Sequence, residues 1–273
     1  MSQALLGKPI VGDMARELRE KVARFPRRPS VGIIYAGSNP VIEHFIARKE
    51  HFAQNIGVSL FVHRISASAT TEEIIDAVRA SASEHDGVVV QLPLPKGIDS
   101  LAVLDSVPLS KDIDMLSSAA RDYIARGNSA ALPAVAGAIR EFIERTPISL
   151  AGKKIAIIGT GKLVGIPVHA WLKTMHLESV IINRETKDLK HELETADVII
   201  SGAGSSGLVT ADMIKEGVVL FDAGTSEVEG KIEGDIARDA YVKASYYTPV
   251  PGGIGPLTIA CLFKNLVTLM DLN

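Results

Sequence analysis

Short runs of almost unbroken apolar residues constrain this chain more than anything else in it. Residues 30–36 read SVGIIYA, 87–92 GVVVQL, 154–158 KIAII and 197–201 DVIIS. A strand with apolar side chains on both faces must be covered on both faces, which is the condition of a parallel sheet wrapped by helices. Further runs at 58–65, 178–183 and 218–222 extend the pattern. Between them lie stretches with apolar residues at helical spacing, predicted as helices over 10–24 with Asp13 as N-cap, 41–56, 70–84 opening at Thr70-Thr71-Glu72-Glu73, and 133–146. Short strands alternating with helices define the α/β class. A polar stretch at about 97–129 interrupts the alternation, which restarts at 154, so a domain boundary falls near 140–150.

Composition narrows the function. With 273 residues, 47% of them hydrophobic, the chain has enough material for one large α/β unit or two small domains. Its 29 basic and 32 acidic residues leave a net charge of −3, which excludes the field expected of a nucleic-acid or membrane-surface binder. The single cysteine, Cys261, excludes an internal disulfide framework. The first residues lack a basic segment followed by an apolar core, and no apolar run is read as long enough to cross a bilayer, so the expectation is a cytoplasmic protein. The seven histidines show no metal-binding spacing, and no metal site is expected.

The motif with the plainest physics follows the strand at 154–158. Gly159-Thr160-Gly161-Lys162-Leu163-Val164-Gly165 is a tight glycine turn, and Pro167 opens a helix running to about 175. Strand, glycine turn and helix N-terminus together present free N–H groups and a positive dipole end to a phosphate. The spacing G-x-G-x-x-x-G is one residue longer than the usual dinucleotide fingerprint. The next strand ends in Asn183-Arg184-Glu185. An acidic residue there favours NAD and an arginine favours the extra phosphate of NADP; both are present, and NADP is the expectation with NAD still possible.

Other features are ambiguous one at a time. Val90-Gln91-Leu92-Pro93-Leu94-Pro95 ends a buried strand, where open parallel sheets bind ligands. Lys111-Asp112-Ile113-Asp114 reads as a solvated turn when taken alone. Phe45 and Lys49 fall one turn apart on a helix face, and Lys49 by itself reads as an ordinary surface lysine. The stretch from Thr248 to Pro256, TPVPGGIGP, is too rich in proline and glycine for a helix or a central strand; an apolar helix, LTIACLFKNLVTLMDLN, follows it.

Taken together these segments make the sequence resemble the bifunctional methylenetetrahydrofolate dehydrogenase/methenyltetrahydrofolate cyclohydrolase family over essentially its whole length. The resemblance rests on Gly37-Ser38-Asn39-Pro40 before the helix bearing Lys49, on Gln91-Leu92-Pro93-Leu94-Pro95 and on Lys111-Asp112-Ile113-Asp114. It continues through Val164-Gly165 with Pro167, Gly234-Asp235 and Thr248–Pro256. It implies two α/β domains flanking a cleft, the second a Rossmann-like parallel sheet. The expected division is a folate-binding catalytic domain at 1–142, completed by 253–273 as the last helix returns to it, and an NAD(P)-binding domain at 143–252. It also implies one-carbon chemistry of the kind that feeds purine biosynthesis: oxidation of 5,10-methylenetetrahydrofolate with NAD(P)⁺, then hydrolysis of the methenyl product to 10-formyltetrahydrofolate. Lys49 would be the key group of the hydrolytic step, Gln91 would orient and tune it, and Asp114 would hold the pterin. Phe45, Val90, Leu92, Pro251, Gly252, Gly253 and Gly255 would contact folate. Gly159, Thr160, Gly161, Val164, Gly165, Arg184 and Thr225 would contact the cofactor. The partners implied are the folate and a second copy of the chain, paired through the cofactor domain.

The sequence departs from that family at several of these places. Phe45 stands where a tyrosine is usual, Met115 where a glycine often follows the aspartates, and Ala130-Ala131-Leu132-Pro133 replaces Pro-Cys-Thr-Pro. Thr160 stands where an arginine is frequent, Gly161 replaces a serine, Asn183 a histidine, and Gly224-Thr225-Ser226 the usual Gly-Ile-Asn. Two other readings therefore stay open on the sequence: a partly degenerate relative with weak cyclohydrolase activity or another one-carbon carrier, and a non-catalytic folate- or nucleotide-binding paralogue.

Overall fold

The computed structural model describes residues 2–228 and 230–272. By contact the chain divides into two compact units. One comprises Gly12–Tyr123, Ala130–Leu132 and Ile259–Asn273; the other comprises Met1–Val11, Ile124–Ser129 and Pro133–Thr258.

The second unit includes two strands of two residues each: β1 (Gln3–Ala4), near the start of the chain, and β11 (Tyr246–Tyr247), near its end. The first unit is built on a parallel sheet of β2 (Ser30–Ala36), β3 (Ser59–Ile65) and β4 (Gly87–Val90), in the order β3-β2-β4. The central strand β2 is buried along nearly its whole length, as its unbroken apolar sequence requires. Helix α1 (Gly7–Val22) opens the chain, and α2 (Pro40–Ile56) and α3 (Thr71–Glu84) cross between the strands. Asn39 caps α2 by accepting hydrogen bonds from the N–H groups of Val41 and Ile42; Pro40 takes the first helical position, and Gly57 closes the helix at φ 84°. Thr70 and Glu73 form a reciprocal capping box on α3. Ile74, Val78 and Ala82 pack with Ile34, Val88, Val90 and Val103 into one core.

The polar stretch at 97–129 is not featureless. It holds α4 (Ser100–Asp105), a 3₁₀ turn at Leu109–Lys111 and α5 (Ser118–Ala125). Helix α1 also corrects an expectation: it begins at Gly7, so Asp13 lies inside it and caps nothing. Pro9 is tolerated because it sits in the first turn, where no intrahelical partner is lost.

In the second unit all six strands of a parallel sheet run in the order β1-β11-β8-β7-β5-β6. Besides β1 and β11 these are β5 (Ile155–Ile158), β6 (Ser179–Ile182), β7 (Val198–Ser201) and β8 (Val219–Asp222). Helices α6 (Ala134–Arg145), α7 (Gly165–Thr174) and α8 (Leu189–Glu194) belong to this unit. The crossover from β7 to β8 carries only a 3₁₀ turn at Ala211–Met213. Strands β9 (Ser226–Val228) and β10 (Lys231–Glu233) form an antiparallel hairpin.

Helix α9 (Ile254–Leu272) starts three residues earlier than expected, with Pro256 in its first turn. At 19 residues it is long and apolar enough, by length and composition, to cross a bilayer, which corrects the expectation that no such run exists. Of its most apolar window 56% is buried within the chain, as in a core helix; Phe263, for example, packs against Phe52 at 5.5 Å between ring centroids.

Candidate active site

Both sheets share a winding in which, of three successive strands, the first lies between the second and the third. In the first unit β2 lies between β3 and β4, and in the second β5 lies between β6 and β7. The chain reverses direction across the sheet at such a strand, which leaves a crevice beyond the carboxyl ends of the strands.

In the first unit that position holds Lys49, Gln91 and Asp114. Lys49 comes from α2, nearly three turns beyond its Asn39 cap, and its Nζ donates to Gln91 Oε1 at 2.8 Å. Gln91 follows β4, and its Nε2 donates to the carbonyl of Leu92 at 2.8 Å, which fixes the amide so that its oxygen faces the lysine. Val90 is buried at the end of β4, and Leu92 is half-buried. Burial pulls the Lys49 amine below the ordinary lysine range, and the Asp114 charge partly restores it. Asp114 is pushed up to about 6, mainly by burial; Lys49 pulls it down and Asp112 adds to the rise. Phe45 sits one turn before Lys49 and is 42% exposed, an uncovered ring beside the amine.

The loop that delivers Asp114 is braced, not solvated as Lys111-Asp112 alone suggested. Lys111 Nζ donates to the carbonyls of Ala82 and of His85, the latter at 2.7 Å. Asp112 is buried and accepts from the N–H groups of Leu116 and Ser117. Asn265, buried in α9, donates from Nδ2 to the carbonyls of Ile113 at 2.9 Å and Leu132 at 2.7 Å. The sequence reading missed Asn265; its one signal was a lone amide in an apolar helix. Met115, next to Asp114, has φ 56°, the left-handed region that a glycine adopts without strain.

The second unit holds the glycine turn beyond β5. Gly159 has φ 103°, and a Cβ on it would lie 2.7 Å from the carbonyl oxygen of Gly202, which follows β7. A Cβ on Gly165 would lie 1.9 Å from the oxygen of Gly159. The first and last glycines are therefore obligatory, whereas a Cβ on Gly161 would meet nothing within 4 Å. Val164, half-buried at the N-cap of α7, makes no side-chain cap, so no side chain of the cap residue occupies the donors at this helix end. Thr160 is exposed on the turn, and Arg184 and Thr225 are exposed after β6 and β8. A turn with these properties fits a dinucleotide's phosphates.

Two buried carboxylates, with no role read from the sequence, hold the neighbouring loops. Asp235 accepts from Ser201 Oγ and from the N–H groups of Ala203, Gly204 and Ser205. Asp222 accepts from the N–H groups of Gly224, Asp235 and Ile236, and burial pushes it up to about 6. Cβ atoms on Gly224 or Gly234 would collide with these carboxylates. In the same unit Gly252 has φ 114° and its carbonyl accepts from Gly7 N–H at 2.8 Å; Gly253 is packed against Thr248 and Pro249; Pro251 and Gly255 are exposed.

The fold and these strand-end sites define a class: a doubly wound α/β protein with one turn shaped for a dinucleotide phosphate and one cluster built around a desolvated amine. Comparison with known proteins makes the class specific. Residues 5–114 match the model of the tetrahydrofolate dehydrogenase/cyclohydrolase catalytic domain, and residues 133–273 that of the family's NAD(P)-binding domain. The bifunctional protein FolD of Moorella thermoacetica is 35% identical, covering 97% of this chain and 98% of that one. The FolD of Halothermothrix orenii is 34% identical over 98% and 97%. Among solved structures, the bifunctional FolD methylenetetrahydrofolate dehydrogenase/cyclohydrolase of Campylobacter jejuni superposes with a TM-score of 0.95 at 31% identity, covering all of both chains. The Trypanosoma brucei enzyme, solved with NADP and an inhibitor, gives 0.93 at 30% identity over 99% and 98%. The chain belongs to the tetrahydrofolate dehydrogenase/cyclohydrolase family.

Proposed function

We propose that this protein oxidises 5,10-methylenetetrahydrofolate to the methenyl form with NADP⁺ and hydrolyses that product to 10-formyltetrahydrofolate. The observation that carries the reading is the Lys49–Gln91 hydrogen bond beside Asp114, three groups separated by 42 and 23 residues in sequence. Bound NADP⁺ takes a hydride and its electron pair from the folate's methylene carbon. The glycine turn, through Gly159, Thr160, Gly161, Val164 and Gly165, holds the phosphates, Thr225 adds a further contact, and the exposed Arg184 supplies charge for the 2′-phosphate. NAD⁺ remains a usable second cofactor because Glu185 adjoins Arg184.

Hydrolysis falls to the lysine. An amine drawn below its ordinary pKa is neutral in a larger fraction of molecules at neutral pH and takes the proton from a water adding to the methenyl carbon. The same proton reaches N5 as the C–N5 bond breaks, and the hydroxyl of the tetrahedral intermediate gives up its own proton to solvent as its C–O becomes the formyl carbonyl. Gln91 holds the amine in place. Asp114, when ionised, accepts hydrogen bonds from the pterin's aminopyrimidine edge. Phe45 stacks on the ring, with Val90 and Leu92 as further contacts. We assign the folate role to 1–142 with 253–273 and the cofactor role to 143–252, in a cytoplasmic homodimer paired through the cofactor part.

Lys49→Met tests the assignment. It removes the base but keeps the length of the side chain. Hydrolysis of added methenyltetrahydrofolate is lost while some hydride transfer persists, so the methenyl absorbance accumulates together with NADPH. Equal loss of both activities would reassign Lys49 to substrate binding.

A further inference from the structure

Away from the site just described, the first unit gathers two histidines and a carboxylate that no step of the chemistry uses. His63 on β3 and His85, between α3 and β4, bring their Nε2 atoms to 3.1 Å. Nitrogen, nitrogen and a carboxylate oxygen of Glu84, the last residue of α3, all lie within 4.8 Å of one another. His85 is 8% exposed and Glu84 is exposed, so the cluster opens to solvent on the carboxylate side. His63 lies 21 residues from Glu84 and 22 from His85, which is why no metal-binding spacing was legible in the sequence.

We propose that His63, His85 and Glu84 form a binding site for one divalent first-row transition-metal ion of the zinc class. Two imidazoles and one carboxylate are the donor set such ions take, with water completing four-coordination. Zn–N distances of about 2.0–2.1 Å place two ring nitrogens of a tetrahedral ion about 3.3 Å apart, close to the separation seen. The surroundings are built for it. His85 Nδ1 lies 3.2 Å from Ser30 Oγ, a partner able to fix the ring and leave Nε2 as the ligand. Phe61 stacks on His85 with centroids 4.9 Å apart. Lys111 bonds the His85 carbonyl, anchoring its backbone.

One observation points to a ligand here, and a second shows how the strand accommodates the cluster. Ser81, 1% exposed, has no hydrogen-bond partner for its hydroxyl among the described residues. Gly32, in the middle of the central strand, makes room for the group: a Cβ there would lie 2.0 Å from Ser81 Oγ, 2.7 Å from His85 Cδ2 and 3.3 Å from His63 Nε2. Glycine weakens a central strand, and one kept there marks a close approach. The clearance places the orphan hydroxyl beside the imidazoles.

The test uses the untagged full-length chain. Zn²⁺ is titrated calorimetrically, and Co²⁺ is followed by its visible bands. One equivalent of each binds, with the intense absorption of four-coordinate cobalt. His63→Ala and Glu84→Gln each weaken Zn²⁺ affinity by about tenfold or more, while His44→Gln, outside the cluster, leaves it unchanged. Glu84 is exposed, so its variant folds even if a histidine variant does not. No stoichiometric binding, or unchanged affinity in Glu84→Gln and in folded His63→Ala, would overturn the proposal and leave the pair as a plain histidine–histidine hydrogen bond.

Discussion

At the scale of residues, two side chains in one loop illustrate opposite balances. Asp114 carries a carboxyl raised from 3.8 to about 6 by burial. A raised carboxyl pKa means that the folded state holds the proton more tightly than the unfolded one. The stabilisation from that proton is complete below the unfolded pKa and is lost as pH rises through about 6. Asp114→Asn therefore raises the thermal midpoint at pH 7.5 relative to the parent, and the gain disappears by about pH 4. The same variant loses turnover, because one of its two terminal atoms becomes an NH2 donor and cannot accept from the pterin's aminopyrimidine edge. In the parent, turnover falls as pH drops through about 6. A midpoint gain that is equal at both pH values would refute this assignment of the charge. Met115 presents the second balance. Its left-handed backbone costs about 1 kcal/mol, but its side chain is 1% exposed, and burying a methionine contributes roughly 1.5–3 kcal/mol. Burial wins. Met115→Gly destabilises by about 1 kcal/mol in urea denaturation, even though glycine suits the backbone; a stabilised variant would show that strain dominates.

At the scale of elements, the seven strands of four residues or more were legible to within about two residues, because a short apolar run bounded by turn residues fits a strand buried on both faces. SVGIIYA was read as the strand that forms, residue for residue. The two-residue strands β1 and β11 were not legible, since two residues carry no period. Asp13 misled because a good capping residue also sits comfortably on an exposed helix face. The glycine turn was legible as a tight link between strand and helix, but which glycines are obligatory was not; that depends on atoms of Gly202, just after β7, and of Gly159 itself. Gly165→Ala drives a Cβ into the Gly159 carbonyl and abolishes stable folding or cofactor binding. Gly161→Ser meets open space, leaves the thermal midpoint unchanged and adds a phosphate donor, lowering KM for NADP⁺ by up to about tenfold. A KM unchanged by the serine would separate this turn from the phosphates.

At the scale of the whole molecule, the candidate site was legible only as a set. Lys49, Gln91 and Asp114 were each ambiguous alone, and family resemblance joined them before geometry did. What geometry adds is physical: the amine is desolvated, hydrogen-bonded to the glutamine and opposed by a carboxylate whose own pKa is raised. Features that depend on long-range packing escaped the sequence, among them Asn265, the Asp222–Asp235 braces and the histidine pair. The central claim is that one chain performs both steps. The measurement is to mix purified protein with 5,10-methylenetetrahydrofolate and NADP⁺ or NAD⁺, recording reduced cofactor and methenyl product together and separating the folates at the end point. The account predicts turnover favouring NADP⁺, reduced cofactor formed in proportion to 10-formyltetrahydrofolate, and little methenyl accumulation. No turnover with either cofactor at high enzyme concentration, or methenyl product that builds up without being hydrolysed, would contradict it.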